Sequence, residues 1–330
     1  MKLQTCEMHT GGEPLRIIES GYPDIPGETL LEKRSFVRKN LDHLRKQLMW
    51  EPRGHFDMYG ALLVKVSRPE ADLAVIFMHN EGYSTMCGHA CIALARYAVD
   101  KGLVKSVTSP ETKVTIECPC GLVECFTDLI SGHTRFVSVP AFVFQTDVAI
   151  HVDGYGELRV DISYGGAFYA ILAAKTAGLN VKKSGILELV NLAASITESV
   201  KKQVKLYHPE SSDLAFLYGT ILTDGKDEHS GKPTANVCVF ANRQVDRSPC
   251  GSGVTARVAL QFYKGFLGIG QTLLFESAKT GDIFSGKAVE ETRIGDFQAV
   301  KVEVGGKGWY TGSATFTLED EDKLGKGFLL

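Results

Sequence analysis

Met86-Cys87-Gly88-His89-Ala90-Cys91-Ile92-Ala93-Leu94-Ala95 decides the fold, because Pro249-Cys250-Gly251-Ser252-Gly253-Val254 echoes its opening at a shift of 163 positions. The two copies align without a gap. Phe77 falls on Phe240, Cys87 on Cys250, Gly88 on Gly251, Ala93 on Ala256, Lys101 on Lys264 and Gly102 on Gly265. In each copy a β-type run (73–78; 236–240) leads through a polar loop to Cys-Gly, and a helix of about four turns follows. Each helix stops at Lys-Gly, 14 residues after its cysteine. Glycine there supplies the left-handed residue past the helix end, and lysine faces the negative pole. A second echo, at a shift of 154, sets Gly11-Gly12 on Gly165-Gly166 and Ile17 on Ile171. The chain therefore reads as two homologous halves related by a pseudo-two-fold axis.

Residues 90–95 are apolar on nearly every side, so the first of these helices is surrounded by protein. A shell of strands around a central helix in each half meets that requirement. The expected class is mixed α/β (α+β): two pseudo-symmetric domains, each a curved mixed sheet wrapped around a central helix. The first half is expected to span 1–150, completed by 312–330, and the second 151–311. The pattern predicts an amphipathic helix over 29–49, with Val37, Leu41, Leu44 and Leu48 on one stripe and the basic residues on a solvated face. It predicts another over 186–204, capped by Ser184. Strands are expected at 62–66, 114–116 and 300–304. Rossmann spacing, low-complexity segments and linkers are absent.

Composition narrows the partners. A chain of 330 residues suits two domains of middling size, and 44% hydrophobic with 23% charged residues is a soluble globular profile. A net charge of −3 gives no basic field for nucleic acid or an anionic membrane. No apolar run approaches the roughly 18 residues of a membrane helix. A small molecule is the expected partner, and the sequence leaves open whether the chain forms a homodimer. Residues 1–7 lack the apolar core of a secretory signal, so the cytoplasm is the expected compartment and the eight cysteines are expected to be reduced.

A helix start carries partial positive charge and N–H groups without intrahelical partners. A cysteine there has its thiolate stabilised, and the neighbouring N–H groups can hold a carboxylate. Two such mouths facing one amino acid would place its α-carbon between two sulfurs, one removing the proton and the other returning one to the opposite face. The N–H groups on the carboxylate would stabilise the developing charge, so no cofactor is expected. The other readings are plainer. Cys6, Cys91, Cys125 and Cys238 read as packing. Cys118-Pro119-Cys120 is half a metal site without a second ligand pair, so no metal is expected. His89 reads equally as a helix cap or a site residue, and Asp246 as a ligand for an ammonium or a salt-bridge partner. A thiol redox or metal-binding protein is the remote alternative, and a non-catalytic amino-acid binder equally remote.

Met86-Cys87-Gly88-His89 and Asp246-Arg247-Ser248-Pro249-Cys250-Gly251-Ser252-Gly253 resemble the two signature motifs of the proline racemase family, which includes proline racemases, 4-hydroxyproline 2-epimerases and trans-3-hydroxy-L-proline dehydratases. Met8-His9-Thr10-Gly11-Gly12-Glu13-Pro14, Glu51-Pro52-Arg53-Gly54-His55, Gly165-Gly166-Ala167-Phe168-Tyr169 and Lys326-Gly327-Phe328 extend the resemblance nearly end to end. It implies the diaminopimelate epimerase-like fold, with Cys87 and Cys250 as the acid/base pair. It also implies that N–H groups of Gly88, His89, Gly251 and Ser252 hold the carboxylate, that His89 and Asp246 meet the ring nitrogen, and that Phe240 and Tyr59 wall the ring. The body of the chain, including His79–Ser84, Tyr59 and Leu217–Asp227, looks closest to the dehydratases, which typically carry threonine where Cys250 stands. Cysteine at 250 restores the pair that racemisation needs. The expectation is therefore a cofactor-independent proline racemase, with dehydration of trans-3-hydroxy-L-proline as the alternative.

Overall fold

Lys2–Thr10 (β1) and Glu13–Ser20 (β2) form an antiparallel hairpin whose turn, Gly11-Gly12, has φ of +64° and +88°, a conformation that glycine alone adopts without cost. The hairpin opens a computed structural model that describes residues 2–330. The chain divides into two units, one running to Phe136 and resumed by Gly306–Leu330, the other Val137–Gly305.

In the first unit the chain leaves β2 through two helices, Leu30–Asn40 (α1) and Asp42–Met49 (α2), and enters Tyr59–Val64 (β3), parallel to β2. Parallel neighbours require a crossover, and the helices supply it. Leu73–His79 (β4) returns antiparallel to β3, and every residue of it is buried, as in a strand covered on both faces. The second crossover is Gly88–Asp100 (α3), which delivers Glu111–Cys118 (β5) parallel to β4. Gly121–Asp128 (β6) and His133–Val137 (β7) follow.

The second unit repeats this order. After Ala141–Val152 (β8), the strands Gly156–Tyr164 (β9) and Phe168–Ala173 (β10) form a hairpin around Gly165-Gly166. Ile186–Gln203 (α4) crosses to Leu217–Thr223 (β11), parallel to β10, and Thr234–Phe240 (β12) returns antiparallel. The short Gln244–Asp246 (β13) folds back on β12. Gly251–Tyr263 (α5) then crosses to Thr272–Ser277 (β14), parallel to β12, followed by Ile283–Ile294 (β15) and Phe297–Thr317 (β16). The first part of β16 belongs here and pairs with β15 and β8; its last part belongs to the first unit and pairs with β1 from Gly308 to Thr317.

The central helices match residue for residue. Both are 13 residues long. Gly102 and Gly265 close them at φ +67° and +75°, and the next N–H groups reach back as Leu103 to the Ala98 carbonyl and Phe266 to that of Gln261, the Schellman pattern. Helix α3 packs against β1, β2, β5 and β6, and α5 against β8, β9, β10 and β15. Strands from both ends of each strand order touch one helix, so each sheet curves around it. The fold is the expected mixed α/β arrangement.

Several details differ from the sequence reading. The units part after Phe136 rather than 150, because β8 pairs with β9 from Phe142↔Tyr164 to Val152↔Gly156. The far boundary lies at Gly305 rather than 311. The helix expected over 29–49 breaks at Leu41 (φ −123°, ψ 13°), although Val37, Leu44 and Leu48 all stay buried. Helix α4 is capped at Gly185, not Ser184: the Gly185 N–H donates to Glu188 Oε2 at 2.8 Å, while Ser184 Oγ accepts from the Asn180 N–H. No described helix is long and apolar enough to cross a membrane.

Gly165 lets its hairpin lie directly on α5. A β-carbon there would fall 2.3 Å from the Ser252 carbonyl oxygen and 2.4 Å from the Ala256 nitrogen, backbone atoms that cannot swing aside. Gly165→Ala is expected to cost about 3 kcal/mol, read as a lowered midpoint in thermal or urea unfolding; an unchanged midpoint would mean that the hairpin does not press on the helix.

Candidate active site

Cys87 is the residue that starts α3, with extended backbone (φ −148°, ψ 108°) and no side-chain cap on the helix. The N–H groups of the first turn, Gly88 and His89 among them, therefore have no intrahelical partner. The thiol is buried, and its Sγ lies 3.1 Å from His89 Nδ1. His89 Nε2 lies 3.3 Å from the Pro14 carbonyl, which can only accept, so Nε2 carries the hydrogen and Nδ1 presents its lone pair to the thiol. Thr10 Oγ1 donates to the His89 carbonyl at 2.9 Å. The Gly11-Gly12 hairpin thus holds both ends of this residue. Burial pushes the His89 imidazole down to about 4, against a smaller upward pull from the Pro14 carbonyl, and the ring is neutral at neutral pH.

Tyr59 completes this group. Its ring meets that of His89 edge-on at 4.9 Å and stacks on His79 at 5.9 Å, and its hydroxyl contacts Ser84 Oγ.

In the second unit Cys250 occupies the matching position at the start of α5 with a different backbone, φ +72° and ψ 101°. A non-glycine residue there carries strain of about 1–3 kcal/mol. Three contacts hold it: the Cys250 N–H donates to Ser248 Oγ at 3.0 Å, its carbonyl accepts from the Val254 N–H at 2.6 Å, and Asn236 Nδ2 donates to the Pro249 carbonyl at 3.1 Å. Ser248 donates through both its N–H (2.8 Å) and its hydroxyl (2.6 Å) to Asp246 Oδ1. Burial raises the Asp246 carboxyl to about 6, against the opposing effects of hydrogen bonds from Ser248 and the Cys250 side chain. Gly253 makes room for the sulfur, since a β-carbon there would lie 2.9 Å from Cys250 Sγ.

Ser252 stands where the repeat has His89. Its hydroxyl contacts the Tyr169 hydroxyl at 2.7 Å, and that phenol lies 3.8 Å from Cys250 Sγ. Phe240 stacks on Tyr218 at 5.4 Å, and Tyr218 meets Tyr169 edge-on. One thiol is thus set against an imidazole lone pair and the other against a carboxylate and hydroxyls.

Every residue singled out in the sequence lies in one of these two groups: Cys87, Gly88, His89 and Tyr59 in the first unit, Cys250, Gly251, Ser252, Asp246 and Phe240 in the second. Tyr169, Ser84 and His79 stand in stretches that carry the resemblance, without a role assigned to them. Period-two alternation beyond Gly165-Gly166 carries a signal for Tyr169, because Phe168 packs into the apolar core of the second unit and Tyr169 must face the other way. Cys91 Sγ lies 4.0 Å from Cys118 Sγ, and no group that could hold a metal ion occurs among the described residues.

Known proteins can now be set beside these two groups. The sequence matches the family described as proline racemase over residues 5–329. The chain belongs to that family. Its relatives include a trans-L-3-hydroxyproline dehydratase of Xenopus tropicalis, 60% identical over 99% of this chain and 95% of that protein. Another is a trans-3-hydroxy-L-proline dehydratase of Homo sapiens, 55% identical over 99% of this chain and 94% of that protein. Among solved structures, a probable proline racemase from Agrobacterium radiobacter K84, with bound carbonate, superposes with a TM-score of 0.91 at 28% identity, covering 99% of this chain and 96% of that one.

These likenesses overturn the expectation of a proline racemase: full-length relatives at 55–60% identity are dehydratases. The expectation put its weight on Cys250. Elimination needs one base and a departing hydroxyl, and a second thiol does not forbid it.

The neutral, buried His89 has a thermodynamic signature. Below about pH 6.5 the unfolded imidazole takes up a proton that the folded one refuses until about pH 4, so stability falls as pH drops through that window. Urea unfolding between pH 7 and 5 is expected to show this loss, and His89→Asn to show less of it. Parallel pH profiles for the two proteins would mean that His89 is protonated in the fold.

Proposed function

We infer that this protein dehydrates trans-3-hydroxy-L-proline to a cyclic imine. What carries the reading is its 60% identity, over nearly the whole chain, to a protein of that activity, together with a cysteine at a helix start whose sulfur lies 3.1 Å from a histidine nitrogen. In this reading the N–H groups of Gly88 and His89 receive the substrate carboxylate, as a helix start does for an anion. Fixing the carboxylate stabilises the charge that builds on it as the α-proton leaves.

Cys87 is the base. The positive end of α3 favours its thiolate, and the neutral His89 Nδ1, 3.1 Å from the sulfur, is placed to accept a hydrogen bond from the S–H that forms when the α-proton is taken. With the α-proton removed, the electron pair forms the ring double bond and the 3-hydroxyl departs as water; the enamine so formed tautomerises to the imine. These steps need only groups of the protein, so the reading assigns no cofactor. Cys250 supplies a thiol that elimination does not require.

The purified protein, incubated with trans-3-hydroxy-L-proline and no added cofactor, is expected to release a product lighter by one water, identified by NMR as the cyclic imine. Cys87→Ser is expected to lower the rate by roughly 10²–10⁴-fold. Cys250→Thr is expected to keep dehydration within about tenfold, because elimination uses one base. If the wild type leaves this substrate untouched and consumes another hydroxyproline isomer, the assignment is wrong.

A further inference from the structure

The stereochemistry of that substrate makes a demand on the first unit. In trans-3-hydroxy-L-proline the carboxylate and the hydroxyl lie on opposite faces of the ring, so the α-hydrogen and the hydroxyl share one face. A base that takes the hydrogen sits on the side from which the hydroxyl leaves. Hydroxide is a poor leaving group and needs a proton as the C–O bond breaks. The donor must therefore come from the surroundings of Cys87.

His89 does not suit this task. Its Nε2–H is directed to the Pro14 carbonyl, its Nδ1 serves Cys87, and burial holds it neutral. The Thr10 hydroxyl is committed to the His89 carbonyl, which leaves Tyr59 and Ser84, whose hydroxyls contact each other. Both are buried, at 3% and 7% exposure, so polar groups are kept where packing alone would favour apolar ones. Tyr59 is fixed by stacking on His79 and by its edge contact with His89. Ser84 lies on the segment leading into Cys87, and the neighbouring Thr85 carbonyl is held by the Cys120 N–H at 3.1 Å. A phenol is a far stronger acid than water, and a hydroxyl in contact with a second hydroxyl is polarised into a better donor.

We propose that Tyr59, with Ser84 behind it, protonates the departing 3-hydroxyl; this rests on the dehydratase reading. In the step the Cys87 thiolate takes the α-proton, so the C–H bond breaks and an S–H bond forms. The C–H electron pair becomes the ring double bond, the C3–O bond breaks, and the Tyr59 O–H proton goes to the leaving oxygen to give water. Cys87 then releases one proton and Tyr59 regains one, which balances the turnover without any oxidant or reductant.

The test uses Tyr59→Phe and, as a smaller change, Ser84→Ala, with trans-3-hydroxy-L-proline in D₂O. Dehydration by Tyr59→Phe is expected to fall about 100-fold or more, while substrate recovered from the reaction gains α-deuterium, because the base still works and the hydroxyl stays. Ser84→Ala is expected to show the same pattern more weakly. Dissociation constants for pyrrole-2-carboxylate, a planar ring acid without a hydroxyl, are expected to stay within about threefold of wild type, since the proposal assigns the carboxylate to the N–H groups of Gly88 and His89. Full dehydration by Tyr59→Phe overturns the proposal, as does lost dehydration without α-deuterium, which would mark a structural role. Failure of the wild type to form the imine would instead overturn the functional reading on which the proposal rests.

Discussion

At the start of each central helix a set of backbone N–H groups lies among buried residues without a side-chain cap, and much of the surrounding structure bears on that turn. Unsatisfied donors away from water are costly, and a helix start left open in this way suits the substrate carboxylate that the proposed function places there. The sheets curve to enclose it, and the glycine hairpins press against the first helical turn. Gly253 stands where a β-carbon would press on Cys250 Sγ, and glycine directly follows each cysteine. At the far ends of the helices, where no ligand is needed, the carbonyls are closed by the Schellman turns at Gly102 and Gly265.

The two units keep one topology, and their central helices are alike except at the first turn. Their strand order, parallel crossovers, helix lengths and C-terminal hydrogen bonds correspond. Their first turns do not. His89 gives Cys87 an imidazole neighbour, whereas Ser252, in the matching place, leaves Cys250 among Asp246, Tyr169 and a strained backbone. A shell held by apolar packing tolerates change at its mouth, because polar residues there carry little of the core. Two copies of one scaffold can thus hold thiols of unlike character.

The repeat was legible because it is written in residues with backbone consequences: cysteine before glycine at a helix start, and lysine before glycine at its end. The unit boundaries were not, since β8 and β16 are long strands whose alternation says nothing about which sheet they join. The break at Leu41 carries no glycine or proline to announce it, and the cap of α4 depends on Glu188 reaching back to one residue rather than its neighbour. In the site, Cys87, His89 and Cys250 could be found from their local motifs. Ser84 could not, because it takes its meaning from a partner 25 residues away, and alternation sets Tyr169 opposite Phe168 without showing its contact with Ser252, 83 residues on. The choice between inversion and elimination was misjudged for a chemical reason: both begin with the same proton, and the departing group belongs to the substrate.

The division of β16 between the two units affects the order in which the protein can be made. Val137–Gly305 is one unbroken stretch, whereas the other unit needs residues from both ends of the chain. On the ribosome the usual precedence of the N-terminal domain is therefore reversed: the second unit can close while the first still waits for the strand that pairs with β1. Until residues 308–317 emerge, β1 presents an open edge of the kind to which stray strands add. The interval before those residues appear is when the nascent chain has most need of a chaperone.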